Sequence, residues 1–222
     1  MTKPDIKWKH IETVLLDMDG TLLDLNFDNH FWQEYVPLRY AQLHNLSIEE
    51  SKSVLYAKFR DAEGTLDWYC VDYWSSQLQL DIEKLKKEVN HLIAVHAHVL
   101  EFLEAVKKSG RRLLLVTNAH VKSLEIKMEQ TRLAGHFDHI VVSHDLGHAK
   151  ESYEFWDKLK TVEPYNNKST LLVDDSLPVL RAAQHYGIEH LLAVRKPDTR
   201  RDEKNVEDFN AIYHFDDIMP VT

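Results

Sequence analysis

Two aspartates two positions apart, Asp17 and Asp19, close an apolar run in the segment DMDGTLLD (17–24). The run before Asp17 reads as a buried strand, and Gly20 permits a tight turn. Both carboxylates can then be aimed into one pocket while backbone amides face an anion. One carboxylate of such a pair can attack phosphorus, and the other, held protonated, can donate to the leaving oxygen. Paired acids with separated pKa values are a recurrent answer to that problem. Two further segments share the shape: LLLVTN (113–118) ends in Thr117 and Asn118, and TLLVDDS (170–176) carries Asp174 and Asp175. In an open parallel α/β sheet the carboxyl ends of neighbouring strands border the crevice where ligands bind, so the three tips can converge. Four acids gathered there repel one another unless a cation sits among them, and an all-oxygen donor set suits a hard ion such as Mg2+. The chemistry implied is metal-assisted reaction on an anionic substrate.

Strand-like and helix-like stretches alternate from residue 13 onward. Strands are expected at 13–17, 112–117, 139–143, 170–174 and 189–194. Helices are expected at 99–108, 121–133 and 176–186, with Gly110, Gly135 and Gly187 as their stops and Ser176 as an N-cap. This alternation predicts an α/β fold, a Rossmann-like parallel sheet covered on both faces. One long interruption, 26–94, contains no convincing strand and offers helices at 28–44, 48–63, 66–78 and 82–93, with a capping box at Ser47 and Glu50 and an N-cap at Asp81. An all-helical insertion directly after the first strand would lie over the crevice, where a lid belongs. The expected domains are therefore a catalytic core, 1–25 with 95–222, and a helical cap, 26–94. The polar tail from residue 196 holds one short expected strand, near 211–214.

The 222 residues suit one core plus a subdomain, and 44% hydrophobic with 28% charged residues is ordinary for a globular protein. A formal net charge of −9 without a dense basic stripe argues against a nucleic-acid polymer or an anionic membrane as partner. A small phosphorylated metabolite remains compatible, because local lysines and a metal can reverse the potential inside one cleft. Cys70, the only cysteine, excludes an intramolecular disulfide, suits a reducing compartment and reads as a packed thiol between Tyr69 and Val71. The start of the chain lacks an apolar signal core, and no run approaches the roughly 18 residues of a membrane span, so a cytoplasmic location is expected. His144, Asp145 and His148, and the pair His96 and His98, lack the spacing for a third or fourth ligand and read as polar or helix-end histidines. The oligomeric state is open.

The chain resembles the haloacid dehalogenase superfamily of phosphatases. DMDGTLLD matches its first motif, Thr117 after LLLV its second, Lys150 in GHAKES its third, and Asp174 with Asp175 its fourth. The resemblance implies that Asp17 is a nucleophile forming an aspartyl-phosphate, and that Asp19 is the general acid and later the base that activates water. It implies Mg2+ held by the Asp17 side chain, the Asp19 backbone carbonyl and Asp174 or Asp175. Phosphoryl oxygens would be bound by Thr117 and Lys150 with Asn118 assisting, and residues 26–94 would be a mobile cap. The runs LLDMDGTLLDLNFDNHFWQ and TLDWYCVDYWSSQLQLDI look like bacterial phosphatases acting on GMP and IMP, which implies a purine nucleoside monophosphate as substrate. Most cap aromatics, such as Phe31, Trp32, Tyr35 and Trp74, fit helix packing. Asp28, Asn29, Trp68 and Asp72 are the candidates to meet a base. A sugar-phosphate phosphatase, a phosphomutase or a binding module that closes without turnover are the alternatives. A dehalogenase would leave Asp19, Asp174 and Asp175 without a use.

Overall fold

Four consecutive apolar-faced residues, TVLL, form β1 (Thr13–Leu16), buried along its whole length as expected of a strand covered on both faces. The chain then enters a helical insertion. Its first two helices, α1 (Asn26–His30) and α2 (Val36–His44), are joined by a π-helical stretch at Phe31–Tyr35. α3 (Ile48–Ala62), α4 (Leu66–Tyr69), α5 (Val71–Leu78) and α6 (Ile82–Glu88) follow. α7 (Val99–Lys108) leads to β2 (Arg112–Thr117), after which come α8 (Val121–Thr131), β3 (His139–Val142), α9 (Ser143–Leu146) and α10 (Tyr153–Val162). β4 (Thr170–Asp174), α11 (Leu177–Tyr186), β5 (His190–Val194) and β6 (Ala211–Ile212) follow, the last of the α-helices and strands among the described residues. The computed structural model describes residues 3–220. None of its helices is long and apolar enough to cross a membrane.

All six strands are parallel, in the order β3-β2-β1-β4-β5-β6. The direction of winding reverses between β1 and β4, and such a switch opens a crevice at the strands' carboxyl ends. Leu16 is in register with Leu115 and Val173, so Asp17, one step on, emerges beside Asp174. Alternation along the strands divides the core. Val14 and Leu16 face α7, α8 and the insertion's Phe27, Phe31, Leu55 and Trp74, whereas Leu15, Leu114 and Leu172 face α10 and α11. The insertion is thus continuous with the apolar core on one side of the sheet.

The capping box at Ser47 and Glu50 is present, and the Asp81 side chain caps α6. The Ser176 side chain, by contrast, makes no capping bond to α11. The helix expected over 66–78 breaks at Cys70, whose ψ of 114° is extended. Trp74 Nε1 donates to the Trp68 carbonyl (2.8 Å), and Cys70 Sγ accepts from the Tyr73 N–H (3.4 Å). These local bonds replace the helical ladder across the junction.

The insertion's two connections run side by side. Leu23 forms an antiparallel bridge with Val95, Asp24 N–H donates to the Ala94 carbonyl (2.9 Å), and His96 N–H donates to that of Leu22 (2.9 Å). The loop after β5 reaches back onto this stem. Leu25 N–H donates to the Pro197 carbonyl (2.8 Å), Thr199 N–H to Asp24 Oδ1 (3.1 Å), and Asn29 Nδ2 to Asp198 Oδ2 (2.7 Å).

Candidate active site

β1 delivers Asp17 to the crevice, its N–H continuing the ladder to the Val173 carbonyl at 3.0 Å. Lys150, in the turn between α9 and α10, is only 2% exposed, and its Nζ donates to Asp17 Oδ1 (2.5 Å), Asp174 Oδ2 (2.7 Å) and the Val116 carbonyl (3.1 Å). Three acceptors satisfy the ammonium's three protons. Trp156 Nε1 fixes the lysine's own carbonyl at 2.9 Å. Asp174 Oδ1 accepts from the Ser176 N–H (2.9 Å), and Lys204 Nζ donates to the Asp175 carbonyl (2.7 Å).

Oxygens of Asp17, Asp174 and Asp175 lie within 4.8 Å of one another, with Asp17 and Asp174 buried and the Asp175 side chain 12% exposed. Three hard donors so placed, with a single buried lysine between two of them, fit one divalent cation of the oxygen-loving kind. Burial pushes the Asp17 carboxyl from 3.8 up to about 6, Lys150 opposing, and pushes Asp175 up to about 6 against Lys204. Asp174 is raised by the same cause, again with Lys150 opposing. Burial alone would lower Lys150, but Asp17 and Asp174 hold it above its ordinary value.

These shifts give a signed expectation. A carboxyl with a pKa raised on folding stabilises the fold least when ionised, so stability is greatest below the unfolded value near 4 and falls as pH rises through about 6. For one group shifted by two units the loss is about 3 kcal/mol. In EDTA the protein should therefore melt at a lower temperature at pH 7.5 than at pH 5. A saturating divalent cation, whose charge favours the ionised oxygens, should shrink or reverse that difference. Calorimetry across this range checks it, and identical pH slopes with and without the ion would contradict it.

Gly20 has φ +83°, and a Cβ there would stand 2.7 Å from Asp175 Cγ and 2.9 Å from its Oδ2. Both the left-handed backbone and the carboxylate's close approach require glycine. Gly20→Ala should displace Asp175 and weaken divalent-ion affinity about 10-fold or more, read by titration calorimetry.

Thr117 ends β2, buried, with Oγ1 accepting from the Ala119 N–H (3.0 Å), which leaves its hydroxyl proton for a substrate oxygen. Asn118 is used at both ends: Oδ1 accepts from the Lys150 N–H (2.9 Å) and Nδ2 donates to Glu151 Oε2 (2.9 Å). Its geometry is that of a brace for the lysine. Glu151 Oε1 in turn accepts from the Tyr69 hydroxyl of α4 (2.5 Å), so the insertion touches the core immediately beside Lys150.

Asp19 is held differently. Its Oδ1 accepts from Lys127 Nζ of α8 (2.7 Å), which also donates to Asp28 Oδ2 (2.7 Å), and Asp28 Oδ1 accepts from Lys86 Nζ of α6 (3.0 Å). Burial pushes Asp19 up to about 6, with Lys127 opposing. Burial would raise Asp28 too, but Lys127 and Lys86 together hold it at about 2.

Above this floor lies a cavity of about 980 Å³ whose lining includes Asp17, Asp19, Thr117, Lys150, Asp174 and Asp175. Of the four residues expected to meet a base, Asp28, Asn29 and Trp68 line it. Asp72 stands outside, exposed and paired with Lys122 at 2.6 Å. Both Asp28 oxygens are taken by lysines, and the Asn29 amide is engaged by Asp198 (2.7 Å) and Gln33 (3.2 Å). Trp68 packs edge-on to Phe59 and Trp74 and stays half-buried at the cavity wall.

Lys127, Lys86, Glu151, Tyr69 and Lys204 join the site without having been singled out in the sequence. Two of them carried a signal. Lys127 shares the buried stripe of Ser123 and Leu124, and Lys86 that of Ile82 and Leu85, and a lysine on a helix's buried face needs a partner.

Residues 14–193 match the profile of the haloacid dehalogenase-like hydrolases. Over 216 residues, 97% of either chain, the sequence is 38% identical to the GMP/IMP nucleotidase YrfG of Escherichia coli K12. The structure is similar to a HAD phosphatase from Thermococcus onnurineus, with a TM-score of 0.76, 20% identity, and 93% and 95% of the two chains covered. It is also similar to the L-2-haloacid dehalogenase of Xanthobacter autotrophicus that holds chloropropionic acid covalently, with a TM-score of 0.60, 13% identity, and 93% and 96% covered. At these identities the structural likenesses speak for the fold, and they include enzymes that attack carbon as well as phosphorus. The profile, in contrast, spans residues 14–193, from β1 into β5, and by it the chain belongs to the haloacid dehalogenase-like hydrolases.

Proposed function

We propose that this hydrolase is a magnesium-dependent phosphomonoesterase for purine nucleoside 5′-monophosphates, with GMP and IMP preferred, working through an aspartyl-phosphate. The carrying observation is the meeting of Asp17, Asp174 and Asp175 with Lys150 on the floor of the cavity. A carbon-centred displacement needs no divalent cation, whereas a phosphoryl dianion approaching a carboxylate is stabilised by a cation and a cationic side chain together. The nucleotide class is supported by the 97% coverage of the nucleotidase relative.

Mg2+ would be held by Asp17, Asp174 and Asp175 with the Asp19 backbone carbonyl, and it would neutralise charge between the attacking oxygen and the phosphoryl group. Asp17 attacks phosphorus as the bond to O5′ breaks, and the carboxylic proton of Asp19 passes to that oxygen, releasing the nucleoside. Asp19, now a carboxylate, takes a proton from water as the water oxygen attacks phosphorus. The bond to Asp17 breaks, giving inorganic phosphate and the free carboxylate. Thr117 binds one phosphoryl oxygen, Lys150 exchanges one of its three present acceptors for another, and Asn118 keeps the Lys150 turn in place. Residues 26–94 act as the cap over a core of 1–25 and 95–222. A free nucleotide substrate fits the cytoplasm, the compartment that a lone thiol also suits.

Within the cap, Arg60 of α3 lines the cavity and its guanidinium makes no side-chain hydrogen bond among the described residues. Guanine and hypoxanthine both present O6 and N7 as acceptors, which a guanidinium takes up bidentately, whereas adenine presents an N6 donor. Half-buried Trp68 lines the same cavity and offers aromatic surface to the base. Phosphate release should therefore be favoured for GMP and IMP over AMP by about 10-fold or more, a bidentate contact being worth about 1–3 kcal/mol. A panel of nucleotides and sugar phosphates, with and without EDTA, tests the reading. Preference for a sugar phosphate, with the phosphoryl group returned to sugar, would replace it by a mutase.

A further inference from the structure

We infer that Lys127 is the positioning residue for the Asp19 carboxylate, and that Asp28 and Lys86 of the helical insertion hold Lys127 in turn. The acid is then set only while the insertion is seated on the core. The inference rests on the assignment of Asp19 as general acid.

The four side chains form an unbroken line of ion pairs from three parts of the chain. Asp19 follows β1, Lys127 belongs to α8 of the core, and Asp28 and Lys86 belong to α1 and α6 of the insertion. The lysine side chains are 2% and 3% exposed, so neither ammonium can exchange its partners for water. With Asp19 ionised, two ammonium groups face two carboxylates and the group is neutral; when Asp19 Oδ2 carries the proton to be transferred, Oδ1 still accepts from Lys127. Aromatic faces enclose it: Lys127 Nζ lies 5.3 Å from the centre of the Phe27 ring, and Lys86 Nζ lies 5.0 Å from Phe27 and 4.5 Å from Phe31.

Apolar residues of similar volume would stabilise such a junction at least as well, so buried ion pairs point to geometry more than to stability. The geometry here is directional. Lys127 claims Oδ1 of Asp19, and Oδ2 makes no side-chain hydrogen bond among the described residues, in a side chain that keeps 22% exposure at the cavity. Fixing one oxygen orients the other toward the substrate's leaving oxygen, where the transferred proton belongs. Asp28 divides its two oxygens between the two lysines, so lifting the insertion removes one of the two carboxylates that satisfy Lys127. An ammonium buried with one remaining partner is free to leave its place, and Asp19 loses its constraint with it.

The test compares kcat/KM for GMP with kcat/KM for p-nitrophenyl phosphate in the full-length protein with Mg2+. This ratio reports the steps up to departure of the leaving group. The nucleoside must leave as an alcohol and needs the proton, while p-nitrophenolate leaves without one. Lys127→Met is expected to lower kcat/KM for GMP by about 10²-fold and that for p-nitrophenyl phosphate much less, the pattern of a lost general acid. Asp19→Asn should give the same pattern, and adding Lys127→Met to it should produce no further loss for GMP. Asp28→Asn, which keeps the Lys127–Asp19 contact, should show a smaller selective loss for GMP, and it carries the test should Lys127→Met melt below the assay temperature. Equal losses on both substrates for Lys127→Met and Asp28→Asn, or losses for Lys127→Met and Asp19→Asn that multiply, would overturn the link. An Asp19→Asn variant that treats both substrates alike would overturn the acid assignment itself, and the inference with it.

Discussion

Asp17→Asn is expected to abolish phosphate release, lowering kcat on GMP by about 10⁴-fold or more, because an amide cannot form the acyl-phosphate bond. The fold should survive. Lys150 Nζ keeps Asp174 Oδ2 at 2.7 Å and the Val116 carbonyl at 3.1 Å, and the side-chain amide oxygen that takes the place of Asp17 Oδ1 can still accept the third bond. One of three crowded carboxylates disappears, and Asp17 is one whose charge burial opposes. Without metal, the variant should melt at the same temperature as the parent at pH 7.5, or above it. Phosphate release and thermal melting measure the two halves of this expectation, and full activity in Asp17→Asn would end the nucleophile assignment.

Lys150→Met should fail in the opposite manner, in stability as well as in rate. Its ammonium separates Asp17 from Asp174, and all three side chains are almost fully buried. Removing one partner from a buried ion pair costs about 3–5 kcal/mol, because the remaining charges stay without compensation. The stranded carboxylates can relieve the strain by taking protons, so the loss should be larger at pH 7.5 than at pH 5. Mg2+ should recover part of it by supplying positive charge to the same oxygens. Activity should fall by about 10²–10³-fold, the effect of losing one donor aimed at transition-state charge. A Lys150→Met protein as stable at pH 7.5 as the parent would mean that the lysine does not compensate the carboxylates. Placed together, the two variants separate the attacking group from the charge balance around it.

The converging strand tips were legible in the sequence because a strand buried on both faces is apolar along its length, and a polar side chain that ends such a run has to face the crevice. Asp17, Thr117, Asp174 and Asp175 each follow that rule. The strands, the helical insertion and the capping residues Ser47 and Asp81 were legible for the same local reasons. What escaped depends on docking between elements remote in sequence. Lys127 reaches Asp19 across 108 positions, and Asn29 meets Asp198 across 169. Asp28 and Asn29 carry the polar atoms a base could use, yet those atoms are taken by partners that no local pattern announces. The break at Cys70 escaped because the Trp74 indole, six positions on from Trp68, takes the Trp68 carbonyl that a continuous helix would give to a backbone N–H.

The loop that follows β5 has a mechanical consequence. Pro197, Asp198, Thr199 and Arg201 are bonded to Leu25, Asn29, Asp24 and Gln33, and His96 Nε2 meets the Pro197 carbonyl at 3.1 Å. This splint immobilises both legs of the stem at once. With it in place the joint for any motion of the insertion falls at or beyond Gln33 on one leg, within the π-helical stretch Phe31–Tyr35, whose widened turn already departs from the regular ladder. The loop after β5 thereby ties down the helices beside the first strand, and clipping it by limited proteolysis should slacken a joint 169 positions upstream.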